Sequence, residues 1–180
     1  HTLTLFDNAF HYQWKVAEAA AMQTLEAPFT SRKITVERHG PEAFAGMRKA
    51  GRLAAECLDM LAPHIRPGVT TNRIDELVFE FAVAHRALPA TLFYRGYKYS
   101  VCTSINHVVC HGMPSAKPLR EGDIVNIDVT LILDGWHGDT SRMFTVGSVN
   151  RRAERLIEVT YEALMRGIAA IKPGNTTGDI

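Results

Sequence analysis

An α+β fold built on a duplicated unit is what the sequence predicts, on three observations. Helical periods alternate with strand-like runs along the chain. An Asp-Gly pair, Asp134-Gly135, lies between two apolar strands, which marks a tight β-hairpin. A helix-stop motif occurs twice, at Arg66–Ile74 and Lys172–Ile180, in the form basic-Pro-Gly-x-Thr-Thr-x-x-Ile. Under the duplication, the second copy breaks off as its second helix begins.

The elements follow in order. Residues 1–38 read as an N-terminal arm, with Phe6, Phe10, Tyr12 and Trp14 scattered without sustained period. Residues 39–180 read as the first part of the main domain, its second half incomplete. Pro41 and Glu42 mark a helix start, since proline suits the first helical position. Phe44, Met47, Ala54, Leu58 and Leu61 then recur at helical spacing, so this helix should run to about Pro63. Arg66-Pro67-Gly68 ends it. A second helix is predicted from about Asn72 to Arg86, with Ile74, Leu77, Val78 and Phe81 as its buried stripe. Ala90 to Val101 is irregular and aromatic-rich, and Val101–Cys110 holds strand-like runs. Asp123–Gly147 is the hairpin. A third helix should span about Arg151 to Ile171, with Leu156, Ile157, Tyr161, Leu164 and Ile168 on one face, before Lys172-Pro173-Gly174 stops it.

Composition narrows the function classes. An apolar content of 46% and a charged content of 22% are ordinary for a soluble globular protein. A net charge of +1 gives no reason to expect nucleic acid or a membrane surface as the main partner. No apolar run approaches the roughly 20 residues of a membrane span, and the Ala19–Ala21 patch is not a secretory segment. Cys57, Cys102 and Cys110 are odd in number and lack CxxC spacing, so reduced thiols in a cytoplasmic protein are expected. The chain opens on His1 rather than Met, which suits a processed or partial polypeptide.

The hairpin carries the chemistry. A two-residue turn sets Leu133 opposite Trp136, Thr130 opposite Asp139 and Asp128 opposite Ser141. Residues two apart share a face, so Asp128 and Asp139 become diagonal neighbours roughly 6–8 Å apart at Cβ. Two carboxylates so placed repel unless a cation lies between them, and the separation suits a metal pair roughly 3.5–4 Å apart. Val125, Ile127, Val129, Leu131 and Leu133 form the opposite, apolar face. Asn126, Asp128 and Thr130 could equally be the wet side of an antiparallel sheet. A second carboxylate pinned to the same face weighs against that. Two carboxylates alone leave a metal pair under-ligated, because each ion takes roughly four to six ligands. His137 shares the face of Asp139 but sits by the turn, and it is read as supporting the site. Arg151, Arg152 and Arg155 read as a solvated helix face.

Three runs resemble the bacterial type I methionine aminopeptidases: Asn106–Pro114 (NHVVCHGMP), Asp123–Thr130 (DIVNIDVT) and Asp134–Phe144 (DGWHGDTSRMF), with Met47–Ala55 (MRKAGRLAA) upstream. The resemblance runs from about Gly40 to Ile180. It implies the pita-bread fold, two related α+β halves around a dinuclear centre, with the second pseudo-repeat truncated here. It implies that Asp128 binds one divalent ion and Asp139 bridges both, the ions being Co, Mn, Fe or Zn. It implies that His111 contacts the substrate and assists the reaction. Tyr94, Tyr97 and Cys102 match residues lining a methionine side-chain pocket. Asn106 and Val108 match positions that hold a structural monovalent cation. One histidine and two glutamates that complete the metal site, and a second substrate histidine, lie further along in the family. Lys98-Tyr99 and the long arm depart from the family pattern, and no Cys/His zinc module is present.

The implied activity is removal of initiator methionine from nascent proteins, in the cytoplasm and near the ribosome, by a protein monomeric at full length. A cysteine-protease reading is set aside, because neither Cys102 nor Cys110 has a charge partner readable from the sequence. Two alternatives are weighed. An Xaa-Pro peptidase shares the fold, but His111-Gly112-Met113-Pro114 and the tyrosine pair speak against it. A non-catalytic binding module of this fold typically loses the aspartates, and both are present.

Overall fold

The computed structural model describes residues 37–180, so the expected arm lies outside the described residues apart from its last two positions. The unit His39–Ile180 holds three α-helices and one antiparallel sheet. Helix α1 spans Pro41–Leu61, with Pro41 in its first turn beside Glu42. Helix α2 spans Thr71–Ala84, where the Thr70 side chain accepts the Arg73 N–H. Helix α3 spans Arg151–Ala169, where the Asn150 side chain accepts from Arg152 and Ala153. Each such cap satisfies amides the helix cannot bond itself.

The strands are β1 (Leu88–Pro89), β2 (Cys102–Ile105), β3 (Ile124–Leu133) and β4 (Trp136–Thr145). β3 is central. β4 pairs along its whole length, while β2 and β1 pair with its two ends on the other edge. The two-residue β1 was not foreseen, since two residues carry no readable alternation. The hairpin turn has Asp134 at φ 52° and Gly135 at φ 83°. Positive φ at both central residues is the type I′ turn, whose twist matches the strands it joins.

One face of β3 makes the core. Val125, Ile127, Val129 and Leu131 are fully buried, against Ala50, Cys57, Leu58 and Leu61 of α1 and Ile74, Leu77 and Val78 of α2. Burying each leucine or isoleucine gains about 1.5–3 kcal/mol. The helix lies flat on the hairpin because two glycines allow it. A Cβ at Gly138 would overlap the Ala50 carbonyl, and one at Gly46 would overlap the Trp136 indole. The buried stripe of α1 runs through Ala50, Leu53, Ala54, Cys57, Leu58 and Leu61, with half-buried Gly46 leading into it.

Parts of two helix faces are left open. Phe44 and Met47, which recur at helical spacing with Ala54, Leu58 and Leu61, are 55% and 47% exposed. At about 100° per residue they fall to one side of the glycine-led stripe. The α3 stripe is also uncovered. Leu156, Tyr161, Leu164 and Ile168 are 51–63% exposed, and Gly167 is the residue of α3 that is buried. Periodicity reports that a helix has a sticky face; it does not report whether a partner surface lies within the same segment.

The sequence repeat is also a repeat of conformation. Gly68 and Gly174 both take positive φ, 89° and 96°. The following Thr70 and Thr176 are both extended; the Thr70 side chain accepts the Arg73 N–H, while the Thr176 N–H and hydroxyl both donate to the Asp179 carboxylate. The second copy stops after one turn, Thr177–Asp179.

Candidate metal centre

The observed register sets Leu133 opposite Trp136, Thr130 opposite Asp139 and Asp128 opposite Ser141. On the other edge, Cys102 pairs with Asp128 and Ser104 with Asn126. Directly paired residues share a face. Cys102, Ser104, Asn126, Asp128, Thr130, Asp139 and Ser141 therefore form one polar face, turned away from the α1–α2 core. This answers the wet-sheet alternative only in part: Asp139 is exposed, but Asp128 is half-buried.

Electrostatics distinguish Asp128 from an ordinary surface acid. Its carboxyl is pushed above the usual value, first by burial and then by the charge of Asp139. The charge of His111 acts in the opposite direction. Asp139, on the same sheet face, and His111 are thus both within electrostatic reach of Asp128.

His111 owes its place to Gly112. The Gly112 carbonyl accepts the Thr103 N–H at 2.7 Å, and the Gly112 N–H donates to Ser104 Oγ at 3.1 Å. A Cβ at Gly112 would overlap the Thr103 carbonyl oxygen. The segment is laid directly on β2, and His111 itself has φ 53°. A non-glycine residue at positive φ is held there by its surroundings.

The other expected residues scatter more widely. Tyr97 donates from its hydroxyl toward the carbonyls of Val101 (3.0 Å) and Gly112 (3.3 Å). Burial, followed by a hydrogen bond with Cys102, pushes its phenol up. Tyr97, Cys102 and Gly112 are thus brought together. Tyr94 is 62% exposed, with the Arg95 guanidinium over its ring. Asn106, at φ 53°, ties the end of β2 to the start of β3: it donates to Asp123 and accepts the Ile124 N–H. Val108 is exposed in the loop that follows, its N–H bonded to the Ile105 carbonyl. His137 is exposed and sits opposite Ile132. Sequence reasoning missed Asp75, on α2, which accepts the Ser100 N–H at 2.6 Å. No local pattern marks it, because the contact exists only once α2 and the Ser100 segment are folded together.

The donor set fits one wall of a hard-cation site. A carboxylate raised by burial and by the neighbouring charge of Asp139 is relieved by a divalent ion, and oxygen donors suit Mn²⁺, Fe²⁺, Co²⁺ or Zn²⁺. Among the described residues no group of three or more His, Cys, Asp or Glu could hold a metal ion.

Comparison with known proteins follows the same lines. The model of metallopeptidase family M24 matches residues 45–180. A methionine aminopeptidase of Rickettsia prowazekii is 56% identical over 147 residues, covering 82% of this chain and 57% of that protein. The crystal structure of methionine aminopeptidase from Rickettsia prowazekii superposes with a TM-score of 0.74 at 57% identity, over 74% of this chain and 54% of that one. An Xaa-Pro dipeptidase from Bacillus anthracis, 22% identical over 76% of this chain and 37% of its own, shares the fold with a TM-score of 0.67. The chain spans a little over half the length of the methionine aminopeptidases it matches. With the family model covering most of its length and the pita-bread architecture shared, the chain belongs to metallopeptidase family M24.

Proposed function

We propose that the full-length protein removes initiator methionine from nascent polypeptides, in the cytoplasm near the ribosome, as a monomer using two divalent ions. The observation that carries this reading is the convergence of Asp128 and Asp139 on a sheet face shared with Cys102 and adjoining His111. The 56–57% identity to methionine aminopeptidases, against 22% to the Xaa-Pro dipeptidase, supports methionine rather than an Xaa-Pro peptide as substrate.

In this reading Asp128 and Asp139 would hold the divalent ions together with ligands from outside the described residues. A divalent pair supplies Lewis-acid activation of water at neutral pH. His111 hydrogen-bonds the scissile amide as charge develops there. Tyr97 and Cys102, with Tyr94 at the rim, receive the methionine side chain, whose polarizable sulfur packs well on aromatic rings. Asn106 and Val108 help hold a structural monovalent cation that braces the start of β3.

The test is hydrolysis by the full-length protein, loaded with Mn²⁺ or Co²⁺, of Met-Ala-Ser and of an Xaa-Pro peptide. Cleavage of the first alone is expected. Preference for the second would transfer the protein to the Xaa-Pro class. Cleavage of neither, with no divalent ion taken up, would leave a binding module.

A further inference from the structure

Asp75 lies outside the polar face and in none of the runs that carry the family resemblance, yet it acts on the segment leading into that face. Its Oδ1 accepts the Ser100 N–H at 2.6 Å, a short, charge-assisted bond. Ser100 is 2% exposed and Val101 fully buried, so water cannot replace this acceptor. Val101 in turn offers its carbonyl to the Tyr97 hydroxyl, and the same hydroxyl reaches the Gly112 carbonyl. Cys102 follows immediately, opposite Asp128. The carboxylate thus holds the point from which Tyr97, Cys102 and the Gly112 segment all take their positions. Its charge is also felt at the Tyr97 phenol.

We propose that Asp75 is a positioning residue for the substrate side-chain pocket, clamping the Ser100–Val101 backbone so that Tyr97 and Cys102 form a fixed wall. The proposal rests on the methionine-peptidase reading of that wall. Asp75 touches neither the metal carboxylates nor the reacting bond, so its loss should act on binding rather than on the chemical step. The amide of Asn keeps an acceptor of the same shape without the charge, whereas Ala removes it.

Two measurements on the full-length protein test this. The first is hydrogen exchange at the Ser100 and Val101 amides in wild type, Asp75→Asn and Asp75→Ala. The second is KM and kcat for Met-Ala-Ser in the same three proteins. Loss of a bond to a charged group predicts a KM raised roughly tenfold in Asp75→Ala, with kcat within about threefold and Asp75→Asn in between. Exchange at both amides should accelerate in the same order. Faster exchange with unchanged KM would overturn the proposal and leave the peptidase reading standing. A fall in kcat at constant KM would overturn it too. A wild-type protein with protected amides but no turnover of Met-Ala-Ser would sink the peptidase reading itself, and the pocket role with it.

Discussion

The shared face of Asp128 and Asp139 was legible because a two-residue turn fixes register and register fixes faces. Replacing either with Asn removes one negative donor without changing shape. Turnover of the full-length protein should fall at least about a hundredfold, since even partners of metal ligands cost roughly 10–100-fold when removed. Activity near wild type in either variant would contradict the assignment. Gly112 gives a second prediction at this scale. Alanine there must displace the Thr103 carbonyl, so Gly112→Ala should destabilise the chain by about 1–3 kcal/mol, read by urea denaturation. Cys57 gives the third. Burial pushes its thiol from 9.0 up to about 12. The folded state therefore favours the neutral thiol. Below pH 9 this contribution is fully present, and it is lost as pH climbs from 9.0 toward about 12. A thiol-specific reagent at pH 8 should label exposed Cys110 in the native chain while Cys57 reacts only after unfolding. Asp75 was invisible at this scale, because an isolated aspartate on a helix reads as surface charge until its backbone partner is known.

At the scale of elements, the hairpin and α1 form a unit whose glycines have different jobs. Gly135 has open space around a missing Cβ but takes φ 83°. Gly138 has an ordinary backbone but no room beside Ala50. Gly135→Ala should therefore cost about 1–2 kcal/mol, the price of a left-handed residue. Gly138→Ala should also shift the contact between α1 and β4 and cost more. Thermal melts of the two variants check the order: a chain of this size loses about 2–4 °C per kcal/mol, and Gly138→Ala should melt lower. Helix boundaries were readable to within two residues because Pro41 marks the first start and the Pro-Gly pairs at Pro67-Gly68 and Pro173-Gly174 mark stops. The burial phase of α1 was not readable, since Gly46 and Gly138 decide it and glycines carry no hydropathy signal.

The whole molecule is defined by two faces that lack cover among the described residues: the polar face of the sheet and the apolar face of α3. No helix there is long and apolar enough to cross a membrane, so the α3 stripe is not a membrane span. In the 180-residue chain, Leu164→Glu should change stability by no more than about 0.5 kcal/mol, because Leu164 is already 57% exposed. A larger loss, measured by chemical denaturation, would mean that the helix is covered in solution. The duplication was legible from nine residues at each site, and the matching glycine and threonine conformations give it physical content. What covers either face could not be read from Gly40–Ile180, because a surface does not encode its partner.

The most direct test of the metal assignment is a Mn²⁺ titration of this chain followed by nuclear magnetic resonance, residue by residue. Paramagnetic broadening should begin at Asp128 and Asp139, spread to Cys102 and Ser141, and disappear in Asp139→Asn. Broadening centred elsewhere, or undiminished in that variant, would contradict a cation held between the two hairpin aspartates.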